Sequence, residues 1–357
     1  MYPRVQLPLY AVNPFSCLPN NEWRRYDMDF IRTLHGDISK EELGFTYSHE
    51  HIVCRPAYWQ ERGEDDLLLD DKEKSKRDVL DFKQHGGRSI VDATAVDYGR
   101  DVQAVQEIAI ETGIHIVGTA GFNKSFLWDA QIKEELKPLT GDYASYAQWI
   151  EAKSINELAD FVIREVEEGL EGTPFKAGQV KFGTGYNRIT PLEEKTLRAV
   201  ARAHHETKAP IHSHTEVGTM ALEQIDLLKS EGVELSYLSL GHMDRNPDPY
   251  YHEQIASTGA YMSFDGIGKI KYAPESSRIS LILELVRKGY EDQILISGDT
   301  ARKTYYKHYD HGLGLEYIIS RWVPRFVDEA NRCGFDGRKL VEKFFVSNPA
   351  SCFSFKK

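Results

Sequence analysis

An α/β barrel of eight parallel strands is the fold that this sequence of 357 residues predicts, on three observations. Short β-rich runs alternate with longer amphipathic segments, which is the pattern of repeated βα units around a parallel sheet. Eight such runs can be placed, and eight strands close a (β/α)8 TIM barrel. The first run is not followed by the glycine-rich phosphate turn of a doubly wound open sheet, so the barrel is favoured over that alternative.

The predicted strands are runs rich in β-branched and aromatic residues, bounded by turn formers. They cover residues 44–48, 89–93, 115–119, 179–182, 210–213, 237–241, 261–264 and 294–298. Between them, apolar residues recur at helical spacing, and several of these stretches begin with Asp, Thr or Pro. The clearest predicted helices cover residues 101–112, 155–168, 191–206 and 279–288. Residues 315–345 also have helical character and are expected to pack outside the barrel.

The ends of the chain set the expected domain organisation. Residues 1–27 are rich in Pro, Asn and turn formers and have no sustained periodicity, which predicts an N-terminal tail or arm. Residues 28–357 are predicted to form one (β/α)8 barrel with additional C-terminal helices. The length is compatible with one such barrel.

Composition excludes several classes of protein. Hydrophobic residues at 41% and charged residues at 28% are typical of a globular chain with enough apolar material for a full core. A net charge of −11 argues against nucleic acid and anionic membranes as partners. No run of 18 apolar residues occurs, and Pro interrupts the first short apolar run, so a membrane span or signal peptide is not expected. A cytoplasmic location is therefore expected. The four cysteines have no CxxC spacing and are interpreted as separate reduced thiols.

Two histidines at the end of the first predicted strand are the first candidate metal ligands. The segment FTYSHEHI places His49 and His51 two residues apart, so on a strand both imidazoles face the same side. Glu50 then points to the opposite side. Taken alone, this HxH spacing is weak, because a buried histidine is more often a hydrogen-bonded core residue than a ligand.

Further polar residues stand at or near the ends of other predicted strands. They are Lys181 in the fourth, His212 and His214 in the fifth, His242 after the sixth and Asp299 after the eighth. In a (β/α)8 barrel the carboxyl ends of the strands surround the catalytic mouth, so residues far apart in sequence converge there. The pattern therefore predicts a metal site at the mouth.

The residue types suit a pair of divalent ions. Imidazoles and a carboxylate are ligands of borderline ions, with Zn²⁺ favoured and Mn²⁺ or Co²⁺ as alternatives. Two ions also need an anionic bridge, which Lys181 could provide. A lysine amine desolvated at a barrel mouth has a lowered pKa, and its neutral form can add CO₂ to give a carbamate. An ion-paired lysine is the alternative interpretation.

These motifs together resemble the phosphotriesterase family of the amidohydrolase superfamily. The resemblance rests on HEH after the first strand, VKFGTGY, HSHT, GHMDR and SGD, and it extends from about residue 28 to the end of the chain. It implies that His49, His51 and Asp299 hold one ion and that His214 and His242 hold the other.

The same resemblance assigns the bridge and leaves one histidine out. It implies that Lys181, modified to N6-carboxylysine, and a hydroxide bridge the two ions. His212 does not match a ligand of the family, and because it lies one step deeper in its strand it is expected to support the site or the core. The activity implied is hydrolysis by attack of the bridging hydroxide.

Two loops beside the predicted mouth carry an unusual number of cations for an acidic protein. DGIGKIKYAPESSR follows the seventh strand and TARKTYYKHY follows Asp299. They contribute Lys269, Lys271, Arg302, Lys303, Tyr305 and Tyr306. Such a cluster against a negative net charge predicts an anionic group on the substrate. A solvated charged surface is the open alternative for Lys269, Lys303 and Lys307.

The sequences SGDTARKTYYKHY and GKIKY also resemble the branch of the family that hydrolyses furanose lactone 5-phosphates. By that resemblance, Lys271, Arg302 and Tyr305 grip the phosphate of a pentono-1,4-lactone 5-phosphate, a small anionic substrate. The bridging hydroxide would attack the lactone carbonyl, while Asp299 would take its proton and pass it to the ring oxygen.

Alternatives remain open at this point. The same site could hydrolyse a small anionic N-acyl amino acid, act as a promiscuous phosphotriesterase, or hold metal in a barrel without catalysis.

A homodimer is expected, as for many soluble enzymes. Residues after the second and third strands are expected to shape the pocket; they are Tyr98, Arg100, Phe122, Asn123 and Lys124. For Arg100, an ion pair with Asp101 at a helix start is the preferred interpretation.

Overall fold

The computed structural model describes residues 29–57, 63 and 65–356. Within them, two short strands form an antiparallel hairpin, β1 (Ile31–Thr33) and β2 (Gly36–Ile38). The strands that follow pair in parallel. They are β3 (Thr46–Glu50), β4 (Ser89–Asp92), β5 (His115–Val117), β6 (Thr119–Gly121), β7 (Gln179–Thr184), β8 (Ile211–Thr215), β9 (Leu238–Leu240), β10 (Tyr261–Phe264) and β11 (Ile294–Ile296).

These parallel strands close into a barrel. Strand β3 pairs with β4 and β4 with β5, while β6 to β11 form a second continuous ladder in chain order. Strands β5 and β6 are the two halves of one barrel strand interrupted at Gly118, so β3 to β11 supply eight barrel positions. The circle closes where the backbone N–H of Asp299 donates to the His49 carbonyl at 2.9 Å. The predicted (β/α)8 fold is confirmed.

The strand ends differ from the prediction mainly at the mouth. The first barrel strand begins and ends two residues later than predicted and includes His49, and β8 runs on to Thr215. These extensions carry buried polar side chains, which the alternation of apolar and polar residues does not mark as strand. The third predicted strand, residues 115–119, is broken, and a Cβ at Gly118 would lie 2.6 Å from Leu34 Cδ2 of the hairpin.

Helices cover the outside of the barrel and lie between successive strands. The longer ones are Lys72–Gln84, Val102–Thr112, Tyr146–Ala152, Ile155–Glu167, Pro191–Thr207, Ala221–Ser230, Pro249–Ala256 and Glu275–Arg287. Short helices occupy Lys40–Leu43, Lys137–Thr140 and Lys307–Asp310. Two of the predicted helices begin with reciprocal capping boxes, at Ser154 and at Thr190, which explains why their N-termini could be read from the sequence.

The C-terminal segment is helical but not continuous. It comprises Ile318–Trp322, Val323–Arg332, Gly337–Glu342, Lys343–Ser347 and Asn348–Cys352. The predicted run 315–345 is interrupted after residue 332, because Gly334 has a φ of +87° and Asp336 caps the next helix. As predicted, this segment packs outside the barrel, where Phe345 stacks on Phe45 at 4.3 Å between ring centroids.

Two further expectations concern the periphery of the chain. The predicted arm, residues 1–27, lies outside the described residues, and the domain division that it implies stays a prediction. No helix in the described part of the chain is long and apolar enough to cross a bilayer.

Candidate metal centre

The six predicted ligands converge at the carboxyl ends of the barrel strands. Each is buried, with at most 8% of its surface exposed. They come from five barrel strands or the turns that follow them, and they are His49, His51, Lys181, His214, His242 and Asp299. Their role as ligands stays a prediction, but the structure brings all of them into one region.

Three of these side chains form the first group. The Nε2 atoms of His49 and His51 lie 3.7 and 3.6 Å from Oδ1 of Asp299. One ligand atom from each residue lies within 4.8 Å of the other two, a spacing that could hold one ion. The arrangement agrees with the trio that the resemblance implies.

The second group contains His214 and His242. Nδ1 of His214 lies 2.8 Å from Nε2 of His242, so the two imidazoles converge on one point. The His242 ring centroid is 5.0 Å from that of His49, which brings the second group next to the first. Lys181 is on the strand beside that of His214, and its Nζ donates to the Ala93 carbonyl at 2.7 Å.

Asp265 orients one histidine from each group. It follows β10 directly and is fully buried. Its Oδ2 accepts a hydrogen bond from Nδ1 of His49 at 2.9 Å, and its Oδ1 accepts one from Nδ1 of His242 at 2.8 Å. Because the Nδ1 atoms carry the protons, both Nε2 atoms are left with lone pairs that point into the site.

The other two histidines are held in the same way. The Thr94 hydroxyl donates to Asp92, so it accepts from Nδ1 of His51 at 2.7 Å, which leaves Nε2 of His51 as an acceptor. Nε2 of His214 donates to Glu216 at 2.8 Å, which leaves its Nδ1 facing His242. Metal-binding histidines typically have one nitrogen fixed by such a partner.

The protonation states also suit divalent ions. Burial lowers the pKa of His51 and His214 well below the usual value, and it lowers the pKa of His242 to about 4. These imidazoles are therefore neutral at pH 7, as a ligand must be. The inward lone pairs and the adjacent carboxylate show that the residues present fit a metal centre.

Asp299 is ionised despite its burial. Desolvation raises the pKa of this carboxyl, but the Lys269 and Arg245 charges beside it hold the pKa well below its usual range. Nζ of Lys269 lies 2.7 Å from Oδ2 of Asp299, and Nη2 of Arg245 lies 2.5 Å from the same oxygen. The oxygen Oδ1 is left to face His49 and His51.

Backbone contacts fix the turn that carries Asp299. Glu50 points away from the histidines, as predicted from strand alternation, and accepts hydrogen bonds at 2.7 Å from Ser297 Oγ and from the N–H groups of Gly298 and Thr300. Asp299 itself has a φ of 43°, a left-handed conformation that is strained for a residue with a Cβ. The buried carboxylate of Glu50 therefore holds the turn in a strained state.

Lys181 has the electrostatic environment that carbamate formation needs. Burial lowers the pKa of its amine to about 8, against the opposing effect of nearby carboxylates such as Asp299 and Asp97. A substantial neutral fraction is then present near physiological pH, and a neutral amine is the form that adds CO₂.

Several predicted positions have roles other than those expected. Tyr306 does not face the mouth: it is fully buried, and its hydroxyl donates to the His51 carbonyl at 2.5 Å. Arg100 is structural, as preferred, but its ion-pair partners are Glu165 and Glu171 rather than Asp101. Asp101 instead caps the helix Val102–Thr112.

The remaining positions near the mouth fall into two sets. His212 lies below the site as expected, with its ring edge on the His49 ring at 4.6 Å between centroids. Tyr98 packs against His51 at 5.0 Å between ring centroids, and Lys124 pairs with Glu216 beside His214.

The second set does not form the rim of the mouth. Phe122 and Asn123 are buried, and Lys307 pairs with Asp81 and Glu316.

The predicted phosphate-binding residues lie next to Asp299. Nζ of Lys271 is 5.3 Å from the Tyr305 ring centroid, and Nζ of Lys269 is 5.0 Å from it on the side of Asp299. Burial raises the pKa of Tyr305, and the positive charges of Lys269 and Arg302 oppose this rise. A cavity of about 320 Å³ adjoins them and is lined partly by Lys269, Thr300 and Tyr305.

Comparison with known proteins assigns the family. The model of the phosphotriesterase family matches residues 29–353. The chain belongs to the phosphotriesterase family. A phospho-furanose lactonase from Mycoplasmopsis agalactiae is 31% identical over 344 residues, which are 91% of this chain and 92% of that protein. The expectation of a metal-dependent hydrolase is confirmed at the level of this family.

Solved structures of the phosphotriesterase family have the same fold. A lactonase from Listeria monocytogenes is 74% identical, has a TM-score of 0.91 and covers 92% of this chain and 100% of its own. The phosphotriesterase homology protein from Escherichia coli, complexed with phosphate in its active site, is 30% identical with a TM-score of 0.77 and covers 87% and 99% of the two chains.

Sequence reasoning missed three residues of this phosphotriesterase-family site. Asp265 stands directly after a predicted strand, so its position alone could have identified it. Arg245 belongs to the GHMDR motif, but only its histidine was interpreted. Glu216 follows the HSHT motif by one residue, and its contact with His214 depends on the turn after β8.

We predict that Glu216→Ala weakens retention of the ion at His214 by about 10-fold to 100-fold, the usual effect of losing a partner of a ligating histidine. Without the carboxylate, the ring loses the contact that fixes its orientation and proton. Metal content after timed exposure to a chelator measures the effect. Glu223→Ala, an exposed glutamate on the next helix, is the control, and equal metal loss in both variants would contradict the prediction.

Proposed function

We propose that this enzyme hydrolyses a pentono-1,4-lactone 5-phosphate, with two divalent ions held by the six converging side chains. Zn²⁺ is the favoured metal, with Mn²⁺ or Co²⁺ as alternatives. The observation that carries the proposal is the set of cations and the tyrosine on the two loops beside Asp299. An anionic group bound there would lie next to the metal centre.

The cations on these two loops have two different roles, one within the metal centre and one toward the substrate. Lys269 is buried and pairs with Asp299, so its charge balances the site itself. Lys271 is exposed and has no carboxylate partner among the described residues, so it can attract a phosphate dianion. Arg302 offers a planar fork and Tyr305 a directional hydroxyl, which complement the point charge of Lys271.

The comparisons support a phosphorylated lactone. A relative named phospho-furanose lactonase matches over almost its full length, and the Listeria monocytogenes neighbour with 74% identity is a lactonase. The Escherichia coli neighbour holds phosphate in its active site. These names refer to the other proteins, and they favour a cyclic ester with a phosphate as the substrate class for this chain.

The residues of the chain have distinct tasks in the proposed reaction. Two divalent ions held by the six converging side chains would make hydroxide available as a nucleophile at neutral pH and would polarise the carbonyl of the substrate. Asp299 accepts the remaining proton of the attacking hydroxide and gives it to the ring oxygen as the ester C–O bond breaks, so the products are the carboxylate and the free hydroxyl group of an aldonate phosphate. Arg245 and Lys269, on the other oxygen, keep the carboxylate ionised between turnovers.

Proton release by the metal-loaded protein tests this function. The panel consists of pentono-1,4-lactones with and without a 5-phosphate, together with N-acyl amino acids and a neutral phosphotriester. The proposal predicts fast turnover confined to phosphorylated lactones. Equal turnover of both lactone series would overturn the phosphate assignment, and turnover of the N-acyl amino acids alone would assign the enzyme as an amidohydrolase.

We predict that Lys271→Ala and Arg302→Ala each raise KM for a phosphorylated lactone by about 10-fold to 100-fold, since a hydrogen bond to a charged group contributes about 1.5–3 kcal/mol. The kcat/KM for the unphosphorylated lactone should stay within about twofold, because the removed groups do not contact it. Lys303→Ala, whose ammonium lies 3.5 Å from Asp65, is the matched control. An equal loss on both substrates would show a general defect instead.

A further inference from the structure

We infer that Asp66 is a positioning residue that fixes the loop carrying Arg302 and Tyr305 and so sets the selectivity for a phosphorylated substrate. This inference rests on the proposed function. Asp66 belongs to the loop after the first barrel strand, far in sequence from the residues that it contacts. No sequence motif of the site includes it.

The contacts of Asp66 engage both of its carboxylate oxygens. Oδ1 accepts the backbone N–H of Thr304 at 2.8 Å, and Oδ2 accepts the Thr304 hydroxyl at 3.0 Å. Nη1 of Arg302 lies 3.3 Å from Oδ2. One side chain therefore holds a backbone group, a hydroxyl and a guanidinium of the loop that follows Asp299.

The contact with Asp66 affects both predicted phosphate-binding residues of this loop, Arg302 and Tyr305, because they flank Thr304. Residues Lys303–Tyr305 form a single tight turn, in which the Tyr305 N–H donates to the Arg302 carbonyl at 3.0 Å. Thr304 is the middle residue of that turn. Because Asp66 holds the N–H and the hydroxyl of Thr304, it fixes the backbone of the turn and so the directions of the Arg302 and Tyr305 side chains.

Asp66 is itself attached to a rigid part of the barrel. The three residues that follow it, Leu67, Leu68 and Leu69, are buried, with at most 6% of their surface exposed. The backbone of Leu69 pairs with that of Cys54 through two hydrogen bonds of 3.0 and 3.1 Å. The Asp66 carboxylate thus connects the loop after the eighth barrel strand to the buried segment that follows the first barrel strand.

The contact with Arg302 is compatible with anion binding. A guanidinium carries five N–H donors in a planar fork, and the 3.3 Å contact with Asp66 is made through Nη1 alone. Because the carboxylate also restricts the rotamers of the arginine, less conformational entropy is lost when the anion binds. Asp66 is therefore expected to improve phosphate binding rather than compete with it.

The neighbouring Asp65 provides a matched control. Its side chain is 75% exposed and lies 3.5 Å from Nζ of Lys303, on the outside of the same turn. Removing it changes the local charge by the same amount as removing Asp66, while the contacts to Thr304 and Arg302 are retained. A difference between the two variants therefore reports positioning and not charge.

The kinetic test compares Asp66→Ala, Asp66→Asn and Asp65→Ala on lactones with and without a 5-phosphate. We expect Asp66→Ala to raise KM for the phosphorylated lactone about tenfold, the effect of one lost charged contact, with kcat within about twofold. Asp66→Asn should restore most of the loss, because its amide oxygen still accepts the Thr304 N–H. Equal kinetics of Asp66→Ala and Asp65→Ala would overturn the inference.

Hydrogen exchange tests the positioning role without a substrate. The Thr304 amide should exchange at least about tenfold faster in Asp66→Ala than in Asp65→Ala, because its acceptor is lost. Unchanged exchange would overturn the inference whatever the enzyme hydrolyses.

Calorimetry with inorganic phosphate separates this inference from the proposed function. If the unmodified enzyme shows no preference for phosphorylated lactones, the proposed function fails, and anion binding can still be compared in the three variants. Weaker phosphate binding by Asp66→Ala than by Asp65→Ala would support the positioning role. Equal binding would overturn it.

Discussion

Replacement of Asp299 by Asn is expected to lower kcat by about 10³-fold, within the range for loss of a positioned acid or base. The amide has nearly the same shape, but it cannot accept the proton of the attacking hydroxide. It is also a weaker partner for a metal ion at the point that His49 and His51 face. Steady-state turnover of metal-loaded protein on the best substrate measures the effect.

Two controls separate this effect from a defect in folding or metal binding. Asp299 also balances the buried charges of Lys269 and Arg245, so thermal unfolding and metal content must be measured for the variant. Asp292→Asn, at a carboxylate on the surface beside Lys343, shows the effect of the same change elsewhere. Near-normal turnover of a folded, metal-loaded Asp299→Asn variant would exclude the proposed proton transfer.

Replacement of Lys181 by Met is expected to lower kcat/KM by about 10²-fold to 10³-fold, the loss typical when one group that stabilises a transition state is removed. The physical reason is that the thioether cannot form a carbamate, so the anionic bridge between two ions is lost. Metal content should fall from two ions per chain to one or fewer. Lys288→Met, at the exposed residue that directly follows the helix Glu275–Arg287, should retain both ions and full activity.

Carbamate formation on Lys181 should depend on pH in a defined direction. Because burial lowers the pKa of the amine from 10.5 to about 8, the neutral form increases as pH rises through that value. Addition of CO₂ to metal-free protein should therefore increase between pH 7 and 9. Carbon-13 NMR with labelled bicarbonate measures it. Formation that does not change with pH, or a signal that persists in Lys181→Met, would contradict this assignment.

The predicted ligands could be found because barrel geometry converts position in sequence into position in space. A polar residue at the carboxyl end of any strand must reach the mouth, so His49, Lys181 and Asp299 converge although they are far apart in sequence. The fold class followed from the same periodicity. Neither inference required knowledge of side-chain contacts.

The residues that support the ligands could not be found in this way. Asp265 and Glu216 act through single hydrogen bonds to particular ring nitrogens, and such bonds depend on rotamers that a sequence pattern does not encode. Arg245 reaches Asp299 from a turn that begins at His242 in a left-handed conformation, and a sequence pattern does not reveal that conformation. Asp66 is a further example, since its partners lie more than 230 residues away.

The exact ends of the strands also could not be predicted from the sequence pattern. The interruption at Gly118 depends on the close approach of Leu34 from the hairpin, which is a tertiary contact. Near the mouth, buried polar residues end the apolar pattern before the strand ends, so β7 and β8 were predicted too short at their carboxyl ends. Sequence periodicity thus locates the strands but not their functional ends.

The central claim is that the six converging side chains form one centre for two metal ions, and anomalous X-ray diffraction from crystals of the metal-loaded enzyme tests it most directly. The account predicts two anomalous peaks at the mouth, one beside His49, His51 and Asp299 and one beside His214 and His242. Density for a carboxylated Lys181 should connect them. A single peak, or two peaks with an unmodified Lys181 that contacts neither, would contradict the account.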